Sequence, residues 1–249
     1  MLTILEKSIF SKINKLIVTS ERFYDRYYIK LIKKDNVVFI PNIPNLDAFK
    51  SYQKRIRNKK KFTVGFIGGI RYLSQIKMLV DVAEITQINI LLAGAGGNEA
   101  DYKEILNYCQ DKKYVKFTGK YDYIKQIASL YEMVDCIYAV YDADNPNVKI
   151  ALPNKLYEAI YCELPIIVAK ETYLSEIVDK WGIGVSVDHK SPYELQIVIE
   201  NLVNNLDYYH SFKKALNKYK LEVCSEKYNN LLENIFKDYL KVNCYSDES

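Results

Sequence analysis

The chain has 249 residues, a formal net charge of +4 from 35 basic and 31 acidic side chains, and is 49% hydrophobic and 27% charged. That length gives one large domain or one and a half ordinary ones, with a core that needs no disulfides, and the basic excess is too small to imply nucleic acid. The five cysteines (Cys109, Cys136, Cys162, Cys224, Cys244) form no CxxC pair and there are only two histidines, His189 and His210, which argues against a disulfide framework and against a His-based metal site.

In chain order, the hydrophobic pattern predicts a helix to about Ile13, a strand over Lys15–Thr19, a helix from Ser20–Glu21 to about Lys33, and a strand over Val37–Ile40 that Pro41 stops. Residues 1–42 are expected to be the end of one α/β unit, and residues 43–60, charged and interrupted by Pro44, a linker. From residue 61 strands and helices alternate. Strands are expected at Phe62–Ile67, Ile88–Ala93, Val115–Thr118, Asp135–Val140, Pro165–Ala169 and Gly184–Val187, with helices at about Leu73–Thr86, Glu99–Gln110, Tyr123–Glu132, Asn154–Cys162 and Leu174–Lys180. The strands are continuous apolar runs, as burial on both faces of a parallel sheet demands. Residues 61–190 are therefore expected to form a doubly wound, Rossmann-like α/β domain with a parallel six-stranded sheet. Three helices follow over residues 191–242, opened by the capping residues Ser191–Pro192–Tyr193–Glu194, and residues 243–249 are a polar tail.

No apolar run reaches the roughly 18 residues a spanning helix needs. The N-terminus carries Glu6 and no small-residue cleavage pattern, so a cytoplasmic location is expected.

In an open parallel sheet, ligands bind beyond the C-terminal ends of the strands. After the first strand stands Gly68-Gly69-Ile70-Arg71, where glycine lets the backbone approach a ligand and arginine grips a diphosphate with two hydrogen bonds. Lys77 follows. The bland reading is a turn with a surface arginine. Gly94-Ala95-Gly96-Gly97 lacks the GxGxxG spacing and follows the second strand, so a tight turn is the better reading. Gly119 and Tyr121 follow the third strand. The fourth connection, Tyr141–Pro153, is long for a crossover and ends in Pro153-Asn154-Lys155-Leu156-Tyr157-Glu158. Asn154 is expected to cap the helix, Lys155 to add a cation, and Glu158, one turn on, to offer a carboxylate to vicinal hydroxyls. A capped helix with a solvated Lys–Glu pair is the structural alternative. Asp142 and Asp144 lack the rest of a calcium loop, and His189 is expected to be a polar exit residue.

The order Ile17-Val18-Thr19-Ser20-Glu21, Val38-Phe39-Ile40-Pro41-Asn42, Val64-Gly65-Phe66-Ile67-Gly68, Leu91-Leu92-Ala93-Gly94, Phe117-Thr118-Gly119, Pro153–Glu158 and Pro165-Ile166-Ile167-Val168 resembles bacterial GT-B glycosyltransferases. The similarity is to the family 4-like enzymes of capsule, O-antigen and other surface-polysaccharide synthesis and covers about Lys15 to His189. It implies a donor-binding half that transfers a sugar from a nucleotide diphosphate sugar to an acceptor hydroxyl, with retention and without a bound metal or other cofactor. By this resemblance Arg71, Lys155 and Glu158 are the candidate catalytic residues. Glu158 would hold the ribose and Arg71 with Lys77 the diphosphate. Gly68, Gly69, Asn154, Lys155 and Leu156 would line the phosphates and sugar, and Gly119 and Tyr121 the base.

Two departures stand out. The family's paired-glutamate motif has Ile150 where its first glutamate is expected, and most of the N-terminal acceptor domain is missing from the pattern. The implied partners are a nucleotide-sugar donor, a glycan or lipid-linked acceptor, a separate acceptor-domain chain, and the inner face of the membrane as a peripheral contact, with no nucleic acid. The alternatives are a non-catalytic nucleotide-sugar-binding or assembly module, one subunit of a two-chain transferase, or another GT-B enzyme such as a nucleotide-sugar epimerase.

Overall fold

A computed structural model describes residues 8–54, 56, 62–97, 99–223 and 225–244. Residues 8–10 are helical and residues 11–13 are not, so the first expected helix ends earlier than Ile13; its residues 1–7, like the polar tail from residue 245, lie outside the described residues. Two short parallel strands, β1 (Leu16–Val18) and β2 (Val37–Phe39), pair in register Leu16 with Val37. Between them the helix expected to reach Lys33 is shorter. Only Glu21–Phe23 is α-helical (α1), and Tyr24–Tyr28 continues as a π turn. That stretch is rich in aromatics, which are weak helix formers, and the Tyr27 ring packs against those of Phe23 and Tyr28.

The stretch expected to be linker is partly ordered against the core. Asn45 accepts a hydrogen bond from the Asp47 amide and opens a 3-10 turn, Leu46–Phe49, that buries Ala48 and Phe49. Phe49 is only 1% exposed, so this segment is a strap rather than a free tether.

The main sheet comprises β3 (Thr63–Ile67), β4 (Asn89–Ala93), β5 (Val115–Gly119), β6 (Cys136–Ala139), β7 (Ile166–Ala169) and β8 (Gly184–Val187). All six are parallel, in the spatial order β5-β4-β3-β6-β7-β8. The chain thus winds outward from β3 to β5, then returns to place β6 on the other side of β3. The β3–β6 boundary is the topological switch point.

The helices are α2 (Leu73–Thr86), α3 (Glu99–Cys109), α4 (Tyr123–Glu132), α5 (Pro146–Ile150), α6 (Asn154–Tyr161), α7 (Tyr173–Trp181), α8 (Pro192–Asn204), α9 (Leu206–Tyr219) and α10 (Ser225–Cys244). They cover both faces. Val64, Phe66, Ile90, Leu92 and Tyr138 point to one layer with Leu79, Leu195 and Ile199. Ile67, Leu91, Ala93, Ile137 and Val168 point to the other with Tyr131, Ile160 and Val178. Neighbouring strand residues therefore alternate between two apolar layers, which is why the strands read as unbroken apolar runs. Cys109, Cys136 and Cys162 are buried free thiols within these layers. Among the described residues no helix is long and apolar enough to cross a membrane.

Candidate functional site

A cavity of about 280 Å³ opens at the switch point. Its walls come from the C-terminal ends of three strands: Gly69, Arg71 and Tyr72 after β3, Ala139 and Tyr141 at β6, and Ala169, Thr172 and Leu174 at β7 and the start of α7. Asn147, Val148, Ala151, Pro153 and Lys155 close the remaining side. The crossover that reads as a long loop contains α5, capped by Asn145, whose side chain accepts from the Asn147 amide, with Pro146 in its first turn. Asn-Pro is a helix start as much as a turn signal, and only five residues follow before Ala151 returns to extended backbone.

Lys155 reaches into this cavity under aromatic rings. Its Nζ lies 4.9 Å from the Phe66 ring centroid and 5.5 Å from that of Tyr141, and Tyr141 packs on Tyr72 at 5.2 Å. Ring faces attract a cation without neutralising it. Tyr72 is held at φ 59°, in the left-handed region, and its hydroxyl is pushed up, first by burial and next by Tyr141. A tyrosine in that conformation is locally strained, and such strain concentrates at functional sites. Neither Arg71 nor Lys155 is paired with a carboxylate among the described residues.

The glycines behave as close-approach positions. Gly68 has φ 140°, and a Cβ there would meet Lys155 Nζ at 2.6 Å. A Cβ on Gly94 would lie 1.9 Å from the Gly68 carbonyl oxygen.

Several expected site residues stand elsewhere. Asn154 does not cap α6. Pro153 occupies the cap position without a side-chain hydrogen bond, and the Asn154 amide oxygen instead accepts from Asn42 Nδ2 at 2.8 Å. The first-turn N–H groups of α6 consequently have no side-chain cap from within the helix. Leu156 is fully buried in the core rather than lining the cavity. Lys77 points along the outer helices, where it pairs with Glu104 at 2.6 Å and covers the Tyr108 ring. Gly119 and Tyr121 stand at the end of β5, two strands from β3, outside the cavity wall.

Glu158 is 4% exposed. Tyr123 donates to its Oε1 at 2.9 Å and Tyr131 to its Oε2 at 2.5 Å. Burial pushes the carboxyl above its ordinary range, against the phenol hydrogen bonds and Lys155, which hold it down. Tyr121 is also near, its hydroxyl pushed up to about 12 by burial and then by Glu158. The alternative of a capped helix with a solvated Lys–Glu pair is therefore not what forms. The lysine lines the cavity, and the glutamate is buried against two phenols. Nothing in the sequence marks Tyr123 and Tyr131 as partners of Glu158, because 23 tyrosines are scattered along it.

One group among the described residues has the makings of a metal-ligand set, Asp142, Asp144 and His189. Its members already have partners. His189 Nδ1 is 3.4 Å from Asp142, Gln75 approaches the same ring nitrogen at 3.4 Å, and the Lys190 ammonium sits on Asp144.

A doubly wound parallel sheet with a cavity at its switch point, lined by Arg71 and Lys155, defines an open α/β class whose ligands bind at that point. The chain belongs to the glycosyl transferases group 1 family, whose model matches residues 47–219. Its fold is that of GT-B glycosyltransferases. It is similar to Anabaena HepE solved in complex with UDP and glucose, with 15% identity over 88% of this chain and 62% of that one, at a TM-score of 0.67. Sucrose-phosphate synthase from Thermosynechococcus elongatus aligns with 18% identity over 96% of this chain and 61% of that one, at 0.73. WaaG, a glycosyltransferase involved in lipopolysaccharide biosynthesis, aligns with 12% identity over 83% and 58%, at 0.62. At these identities the likeness concerns the fold, and the chain spans about three-fifths of the length of each of the three. Among curated proteins, no sequence relative matches.

Proposed function

We propose that the switch-point cavity binds the diphosphate of a nucleotide sugar and that the chain is the donor-binding part of a glycosyltransferase. One observation carries this reading: Arg71 and Lys155, from two different crossovers, meet at the same cavity with no ion-pair partner among the described residues. Two cations without an ion-pair partner among the described residues, beside Gly69 and the uncapped start of α6, form an anion site. Glu158 meets the ribose, and Tyr121 and Gly119 lie on the base side. Catalysis is then stabilisation of the departing diphosphate by Arg71 and Lys155, together with positioning of the donor.

The finer reading is a family 4-like enzyme of surface-polysaccharide synthesis, retaining, working on the cytoplasmic side with a glycan or lipid-linked acceptor. It is supported by the order of motifs from β1 to β7 and by family membership. Acceptor selection falls to a further α/β unit beside β1 and β2. The exposure of Ile9, Ile17, Tyr27 and Ile29 on that side supports a covering surface there. The test is calorimetric titration of the full chain with UDP, GDP and their sugars. Saturable binding of one of them is expected. Absence of binding by all of them contradicts the proposal.

A further inference from the structure

We propose that Tyr123 and Tyr131 are positioning residues for ribose recognition, holding the Glu158 carboxylate so that its free lone pairs meet the vicinal hydroxyls of the nucleoside. This rests on the reading that Glu158 meets the ribose.

A carboxylate offers about four acceptor sites on two oxygens. Each phenol takes one site on a different oxygen, Tyr123 on Oε1 and Tyr131 on Oε2. That leaves a matched pair of acceptors, one per oxygen, which is the arrangement a cis-diol donates into. The donors are neutral. A lysine or arginine in their place would also fix the carboxylate but would cancel its charge, whereas a phenol leaves the charge available to strengthen hydrogen bonds from a ligand. Burial and Glu158 both push the two phenols upward, so they remain donors at neutral pH. A carboxylate this buried would be costly if unsatisfied, and the phenols keep it satisfied before any ligand arrives. It therefore needs no rotamer search on binding.

The tyrosines are themselves fixed. Tyr123 opens α4 behind Asp122, whose side chain accepts from the Lys125 amide, and Tyr131 lies two turns on. Phe49, from the strap before β3, packs edge-on against both rings, with centroids 6.4 and 5.5 Å away. The strap thus acts on Glu158 through the tyrosine pair.

The experiment compares ribose with deoxyribose. The full chain is titrated with UDP and GDP, then the better ligand is compared with its 2′-deoxy counterpart, in wild type and in Tyr123→Phe, Tyr131→Phe and Glu158→Gln. Wild type is expected to prefer the ribonucleotide by about tenfold or more, the effect of one hydrogen bond to a charged group. Each Phe variant is expected to lose most of that preference while keeping its affinity for the deoxynucleotide. Thermal unfolding reports whether each variant is folded, and the half-buried Tyr123 provides the test should Tyr131→Phe not fold. A preference retained in a folded Phe variant but abolished by Glu158→Gln overturns the proposal and leaves the ribose reading standing. Equal loss of both nucleotides in the Phe variants means a structural role only and also overturns it. A preference that survives Glu158→Gln removes the ribose reading itself, as does a wild type that binds neither nucleotide.

Discussion

Gly68 and Lys155 are packed so closely that a β-carbon on Gly68 would lie 2.6 Å from the lysine ammonium nitrogen. The end of β3 and the start of α6, 87 positions apart in sequence by the difference of their numbers, are thereby one structural unit. Gly68→Ala is expected to displace the ammonium and to strain a backbone at φ 140°, costing about 1–3 kcal/mol in stability. It should lower UDP or GDP affinity by about tenfold, the scale of one charge-assisted contact. Calorimetry with chemical denaturation checks both. Gly94→Ala, whose β-carbon would strike the Gly68 carbonyl oxygen, is expected to yield little folded protein.

Lys77 gives the opposite expectation. Its ammonium pairs with Glu104 on the outer helices, away from the cavity. Lys77→Ala should leave nucleotide affinity unchanged and alter stability by no more than about 1 kcal/mol, the usual scale of an exposed pair. A tenfold loss of nucleotide affinity in this variant would return Lys77 to the site.

The raised Glu158 carboxyl makes a pH prediction. Its folded-state value lies above its unfolded value because burial penalises the charged form. Its contribution is therefore fully present below the ordinary carboxylate range, about pH 4.3, and is lost as pH rises through the folded value. Measured against Glu158→Gln, the wild type should be relatively most stable at the acid end and lose ground toward neutral pH. Denaturation midpoints of the two proteins across that range test it. A difference that does not vary with pH contradicts the assignment.

Lys213 on α9 is lowered to about 8, by burial first and then by Lys54. Here the charged form is the penalised one. Below about pH 8 the ammonium is charged in both states and the penalty is complete. It fades as pH rises from there to the unfolded value near 10.4. Lys213→Met, which keeps an apolar stem against the Tyr209 ring, should unfold at higher temperature than wild type at pH 7. The gain should shrink above pH 8, and thermal scans at pH 7 and pH 10 measure the difference.

The main sheet was legible because burial on both faces writes Val64–Ile67, Leu91–Ala93 and Ile166–Ala169 as unbroken apolar runs, and the glycines and Arg71 follow a strand end directly. The rest depends on contacts the sequence does not announce. Asn154 has the side chain of a cap, but Pro153 takes the cap position and Asn42, 112 residues earlier, claims its oxygen. Phe49 sits in a segment whose charge and prolines read as linker, and only the tertiary pocket between Tyr123, Tyr131 and Tyr161 explains its burial. Periodicity puts Glu158 near Lys155 on one helix face. It does not tell that one residue enters the cavity while the other is received by two phenols from α4.

The central claim is that Arg71 and Lys155 together hold a diphosphate. Titrating wild type, Arg71→Ala, Lys155→Ala and the double variant with UDP and GDP tests it most directly. The account predicts saturable binding by wild type, a loss of about tenfold or more in each single variant, consistent with about 1.5–3 kcal/mol per charged hydrogen bond, and no measurable binding by the double variant. Wild-type affinity retained in the folded double variant would contradict it.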